Sequence, residues 1–304
     1  MTTPAPASVS LDTFQNDFHR RLIRRVTGEL CDHYGDRLVS VYVYGSVHRN
    51  EALTGPSHVS DLDAVVFLTD AMSQEDRDWR SNINDRLLAE FPGPQRGWVP
   101  PAFPLSRAFP PGLPSDPPER EATISQALTD VLRGVKPDAA AAALVRQCAS
   151  VYLLRYDSTR VWGRDLLADL DAPAPDRLWA RTGLQQPWDL ARHAAGLAPA
   201  RLTAYTAENV TEYPLPADAA LRLRKLARLG VLGGAYLLMG RGQFRSFAGA
   251  DVLPPLMAQF PEWTSLLSET ERLYVSLSVA TSKDVSSYLT LLIPWMDHIG
   301  RQLE

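Results

Sequence analysis

Apolar positions in the first third of the chain change period twice. Between residues 10 and 33, Phe14, Phe18, Leu22, Ile23, Val26 and Leu30 recur at helical spacing, with Ser10 or Asp12 placed to cap. This predicts an amphipathic helix. The runs "LVSVYVY" (38–44) and "LDAVVFL" (62–68) are β-branched, aromatic and nearly continuous in apolar character, as buried strands of one sheet are. Between them, "GSVHRNEALTGPSHVS" (45–60) predicts a short helix and a Gly-Pro turn. Residues 73–91 are polar except for Trp79, Ile83, Leu87, Leu88 and Phe91 on one side, which predicts a surface helix.

The pattern then breaks. Residues 91–118, "FPGPQRGWVPPAFPLSRAFPPGLPSDPP", hold about ten of the 24 prolines. Proline removes ladder donors, so an edge strand followed by an irregular surface loop is the expectation here. Segments 119–135 and 138–156 are strong helix formers. "DSTRVWGRD" (157–165) reads as a turn and "LADLDAPAPDRLW" (167–179) as a linker. From about Pro175 the pattern is helical to residue 304. The fold class expected is therefore α/β (α+β): a mixed sheet with helices over 1–168, followed by an all-helical domain over 169–304.

Composition narrows the function. A chain of 304 residues, 45% hydrophobic, can bury a large core. The net charge is -4 and the 31 basic residues are scattered, which does not suit a dedicated nucleic-acid binder. Cys31 and Cys148 lie far apart without metal-ligand spacing, as reduced packing thiols do. No run approaches the ~20 apolar residues of a membrane span, and the first residues lack a basic segment followed by an apolar core. A soluble, cytoplasmic protein with no membrane partner is the expectation.

Candidate chemistry lies where the two apolar runs face each other. Side chains alternate along a strand, so Asp61 and Asp63 share a face and Leu62 takes the other. Two neighbouring carboxylates repel, and a divalent cation, or two about 4 Å apart, is the usual compensation. An oxygen-only donor set suits Mg²⁺ or Mn²⁺ better than zinc. Gly45 permits close approach of a ligand to the backbone, and the Ser46 hydroxyl with nearby amides can bind phosphate oxygens. Taken singly, Gly45-Ser46 can be a turn and Asp61 a strand cap. The functional reading rests on their order, with a strand beside each.

In this order, "YGS…SDLDAVV", with a spacer of 14 residues over 47–60, resembles the signature of the DNA polymerase β-type nucleotidyltransferase superfamily. The segment 156–179, "YDSTRVWGRDLLADLDAPAPDRLW", is similar to the domain junction of bacterial aminoglycoside (streptomycin/spectinomycin) adenylyltransferases. The resemblance implies transfer of a nucleoside monophosphate from an NTP, ATP first, to the hydroxyl of a small acceptor such as an aminoglycoside. It gives Asp61 and Asp63 the metal, Ser46 the terminal phosphates and Gly45 the close approach. It also places basic side chains in the helical domain, where Arg228 and Arg245, with Arg224, Lys225 and Arg241 near them, are the candidates. A solvated basic face is the other reading of that cluster.

The resemblance calls for a third acidic residue on a later strand. The corresponding place, "RGWVPPAFPL" (96–105), has no Asp or Glu. Asp116, Glu119 and Glu121 are the substitutes in the following loop. The vacant position also supports a rival, a nucleotide-binding regulatory or antitoxin-like module with weak or no turnover. An enzyme acting on RNA or protein is a further rival. His48 and His58 flank the site with a surface role expected, and Trp98, Trp162 and Trp263 are expected in the core.

Overall fold

The N-terminal helix packs as its apolar spacing predicts. α1 (Asp17–Tyr34) turns Leu22, Ile23, Val26, Leu30 and Tyr34 inward. It is capped by Asn16, whose side chain accepts from the His19 amide, and not by Ser10 or Asp12. Those two instead bond each other in the preceding turn, where Asp12 N–H donates to Ser10 Oγ. The computed structural model describes residues 10–55, 58–93, 97–108, 116–170, 172–198, 215–276 and 279–304.

The mixed sheet forms from both predicted strands and two others. β1 (Leu38–Tyr44) runs into α2 (Gly45–His48), the small hairpin β2 (Thr54–Gly55) and β3 (His58–Val59), and then β4 (Ala64–Leu68). α3 (Gln74–Glu90) opens on a capping box between Ser73 and Asp76. β5 (Ala102–Pro104) follows and leads into α4 (Leu105–Ala108). Later come α5 (Pro117–Leu132), α6 (Ala139–Tyr156) and β6 (Ser158–Gly163). The order is β5-β4-β1-β6, with β1 antiparallel to both neighbours and β5 parallel to β4. β5 is the edge strand that the proline-rich segment predicts.

The turn expected over 157–165 is corrected by β6. Ser158, Thr159, Arg160, Trp162 and Gly163 are registered against β1, and Val161 is buried. β-Branched and aromatic side chains suit a half-buried pleated surface, and pairing with a central strand outweighs the flanking turn residues. Gly163, at φ 81°, ends the strand where any Cβ would lie 2.3 Å from the Val39 carbonyl oxygen.

One face of the sheet, with Val41, Val43, Val66 and Leu68, packs against α1 and α3. On the other, Tyr42 and Phe67 meet Leu154 of α6 and Leu166. The strands thus bury both faces, which explains the near absence of polar alternation in "LVSVYVY" and "AVVFL".

The chain divides into two compact units, one of 1–113 with 146–172 and one of 114–145 with 173–304. In this partition 114–145 go with the later helices, whereas the boundary predicted from sequence is a single cut at 168/169. The second unit holds α5, α7 (Arg177–Ala194), α8 (Ala219–Gly240), α9 (Gly249–Gln259), α10 (Thr264–Val275) and α11 (Ser282–Leu303). α8 is its centre: Gly233 faces Met296 and Gly234 faces Leu256 so closely that a Cβ would collide with either. Close helix approach needs that small surface. Among the described residues no helix is long and apolar enough to cross a membrane.

Candidate functional site

Gly45 and Asp63 are brought together at the end of β1. Gly45 has φ 72°, and a Cβ there would lie 2.4 Å from Asp63 Oδ2 and 3.2 Å from Asp63 Cβ. An L side chain would be strained by the dihedral and blocked by the carboxylate, so glycine is required twice over. Tyr44 N–H donates to the Asp63 carbonyl at 2.9 Å. That bond extends the β1–β4 pairing one residue past Ala64, where β4 itself begins. Asp61 is exposed, Leu62 buried and Asp63 half-buried, and all three precede β4, outside the strand on which a shared face was expected.

The electrostatics are those of a crowded carboxylate. Burial pushes Asp63 up to about 6, the charge of Asp61 adds to this, Arg49 opposes it, and Asp157 raises it further. Burial penalises the charged form, the two neighbouring carboxylates repel it, and the Arg49 guanidinium favours it.

Asp157 is the residue that sequence reasoning missed. It directly precedes β6, whose Ser158 lies opposite Tyr44, and it is 7% exposed. Arg49 Nη1 donates to its two oxygens at 2.5 and 2.8 Å, and Arg49 Nε donates to Glu51 Oε2 at 2.6 Å. The three side chains are 7–10% exposed. A strand at 158–163, legible in Thr159, Val161 and Trp162, was the signal that would have placed Asp157 at the end of β1.

The turn after β1 is held on several sides. Glu51 N–H donates to the Ser46 carbonyl at 2.8 Å, and His48 Nδ1 lies 2.9 Å from Thr159 Oγ1. Asn50, at φ 56°, accepts from Gln15 N–H and donates to the Thr13 carbonyl. At the base of the hairpin, Ser60 N–H donates to the Leu53 carbonyl and Leu53 N–H to Ser60 Oγ, both at 2.9 Å. Buried His19 lies with Nε2 3.4 Å from the Ser60 carbonyl, and burial lowers its pKa. His48 is thus a strand contact, not the surface residue expected. His58 is half-buried in β3, and residues 56–57 of the Gly-Pro turn lie outside the described residues.

Of the tryptophans, Trp98 is buried and donates to the Phe91 carbonyl at 2.7 Å, Trp162 sits on β6, and Trp263 packs on Trp295 and His298. The strand beside β4 presents Ala102, Phe103 and Pro104, and no carboxylate. Asp116, Glu119 and Glu121 are exposed at the start of α5, in the second unit.

Arg228 and Arg245 also belong to the second unit. Arg228 Nη1 donates to the Phe247 carbonyl at 2.6 Å and to Tyr274 Oη at 3.2 Å, with its guanidinium 5.7 Å from the Tyr274 ring centre. Arg224 reaches the same tyrosine through its carbonyl at 3.0 Å. Arg241 bonds Gln259 and Gln302 instead, and Arg245 is exposed. The basic cluster read from sequence is therefore a pair of arginines at Tyr274, with Arg241 engaged elsewhere.

Among the described residues no three His, Cys, Asp or Glu side chains form a metal-holding group. Asp61 and Asp63 still fit a magnesium-like ion, because Mg²⁺ is commonly held by one or two carboxylates and completed by waters and substrate phosphates. The crowding that pushes Asp63 up is what such a cation relieves.

No protein-family model matches this chain, and no curated protein matches it. Among solved structures it is similar to the spectinomycin adenyltransferase AAD(9) from Enterococcus faecialis, crystallised with ATP and spectinomycin. The identity is 14% and the TM-score 0.45, over 91% of this chain and 98% of that one. A likeness of that size carries no argument about fold or activity.

Proposed function

We propose that this chain binds a nucleoside triphosphate, ATP first, with Mg²⁺ or Mn²⁺ at Gly45, Ser46, Asp61 and Asp63. It then transfers the nucleoside monophosphate to a hydroxyl of a small acceptor of the aminoglycoside type. The observation that supports this most is the carboxylate of Asp63 set against a glycine at φ 72°, where β1 ends and Ser46 follows. A turn that served only to reverse the chain would not need a carboxylate in the space of a Cβ.

In this reading Asp61 and Asp63 hold the cation, the Ser46 hydroxyl binds the outer phosphates, and Gly45 admits them to the backbone. When bound, the cation supplies positive charge to the phosphate oxygens and to the leaving pyrophosphate. The acceptor oxygen forms a bond to the α-phosphorus, the bond to the β-phosphate oxygen breaks, and the acceptor proton passes to water or a base. With no carboxylate on β5, turnover is expected to be slow, since a missing general base costs about 10²–10⁴-fold.

The test is calorimetric titration with Mg·ATP of the wild type and of Asp61→Ala/Asp63→Ala. The expected outcome is a loss of at least about 100-fold in affinity, which is about 2.7 kcal/mol, in a folded double variant. Unchanged binding would end the reading. Pyrophosphate release over a panel of aminoglycosides then separates a transferase from a module that binds nucleotide without turnover.

A further inference from the structure

Within the proposed nucleotide site, we infer that Arg49 and Asp157 are positioning residues. Their ion pair ties the turn carrying Gly45 and Ser46 to the residue that precedes β6, and so fixes the Ser46 hydroxyl relative to the Asp63 carboxylate. The inference rests on the nucleotide reading above and extends it to residues that do not themselves touch the nucleotide.

Three observations carry it. The first is connectivity. α2 is only four residues long, with Gly45 against Asp63 at one end and Arg49 capping the other. A displacement at Arg49 is thus transmitted to Ser46 within one turn. The second is the pattern of partners. Arg49 divides its donors, Nη1 to Asp157 and Nε to Glu51. It therefore holds two segments at once, the one following α2 and the one preceding β6. His48 to Thr159 is a second tie between the same two elements.

The third is energetic. Arg49, Glu51 and Asp157 are each at most 10% exposed as side chains. A buried ion pair seldom stabilises a fold more than apolar residues of the same volume would, because desolvation offsets the Coulomb gain. Its charges hold geometry, since each hydrogen bond is directional and an unpaired alternative is costly. Two carboxylates against one guanidinium also leave the group without spare positive charge, so Arg49 is not itself a phosphate ligand.

Two variants test this. Arg49→Lys keeps the charge but has one nitrogen, which cannot reproduce separate bonds from Nε and Nη1. Arg49→Met/Glu51→Gln/Asp157→Leu removes the charges together, which spares the fold from an unpaired buried ion. Backbone amide exchange is measured at Asn50 and Glu51, whose amides are bonded to the Val47 and Ser46 carbonyls, without ligand and with α3 as internal control, alongside Mg·ATP titration.

In both variants exchange at Asn50 and Glu51 is expected to quicken at least about tenfold with α3 unchanged. Affinity for Mg·ATP should fall about tenfold. A merely structural role would instead move stability and the α3 amides together. Wild-type binding with equal exchange and affinity in both variants overturns the inference alone. A wild type that binds no Mg·ATP overturns the nucleotide reading, and the inference with it.

Discussion

The side chain of Arg49 in the first unit is buried and Arg228 in the second is half-buried, and they lie among different partners. Arg49 is enclosed by the carboxylates of Asp157 and Glu51. Arg228 donates to a main-chain carbonyl and a phenol oxygen, and lies over the Tyr274 ring. In the first case opposite charges meet in a low-dielectric place, so removing Arg49 takes the shared cation away from two buried carboxylates. In the second, two hydrogen bonds go to neutral oxygens, and water can replace each of these at small cost. An arginine that ends a short turn and one in the middle of a long helix thus have different meanings. The Arg49 group is closed upon itself beside the aspartate pair, whereas the guanidinium of Arg228 meets neutral oxygens and an aromatic face.

The largest expected effect that would sharpen this contrast is on stability. Arg49→Ala should cost about 3–5 kcal/mol, because Asp157 and Glu51 then keep their charges in a buried place without their shared cation. Arg228→Ala should cost about 1–2 kcal/mol, the worth of one or two hydrogen bonds from a charged donor to neutral oxygens. Urea denaturation of the two variants measures both. Equal costs would break the comparison.

A second contrast concerns two glycines. Gly45 and Gly242 have φ of 72° and 68°, but a Cβ at Gly242 meets nothing within 4 Å. Both alanine variants should lose about 1–2 kcal/mol to the left-handed backbone. Gly45→Ala should lose more, and Mg·ATP binding with it, since its methyl would displace Asp63. Thermal melts and titration of the two variants check this, and a Gly242→Ala loss as large as that of Gly45→Ala would count against the close-approach argument.

The smallest effect is a dependence on acid within the first unit. Arg37 beside Asp76 holds its carboxyl well below the usual carboxylate range, with help from Ser73 and His33. A carboxylate lowered on folding contributes stability that is fully present above its unfolded value near ~3.9 and is lost as pH falls toward the lowered folded value. Unfolding free energy should therefore decline below about pH 4, and the decline should be shallower in Asp76→Asn. Denaturation curves between pH 2 and 6 measure it, and an unchanged slope in the variant would remove Asp76 as the cause.

Much of the candidate site was legible in order and spacing. The strands before Gly45 and after Asp63, the short helix, and the edge strand free of acid all follow from local pattern. Asp157 was not legible, because its significance depends on which strand pairs with β1, and the turn residues around 157–165 hid a strand whose partner is more than a hundred residues away. The cap of α1 was missed for a similar reason: Ser10 and Asp12 satisfy each other locally, and Asn16 takes the helix amide.

Sequence by itself determined the elements whose burial is periodic: α1 through Leu22, Ile23, Val26 and Leu30, β1 and β4 through uninterrupted apolar runs, and the helices of the second unit. It also set Asp61 and Asp63 on either side of an apolar Leu62, the spacing of a strand face, although β4 itself begins only at Ala64. Only the tertiary structure decided that Asp63 fills the space a side chain at Gly45 would need, that Arg49 is shared between Glu51 and Asp157, and that Arg224 and Arg228 meet at Tyr274. The physical reason is range. Periodicity and turn chemistry act over a few residues, whereas desolvation and ion pairing depend on which distant segments the sheet and the helix packing bring together.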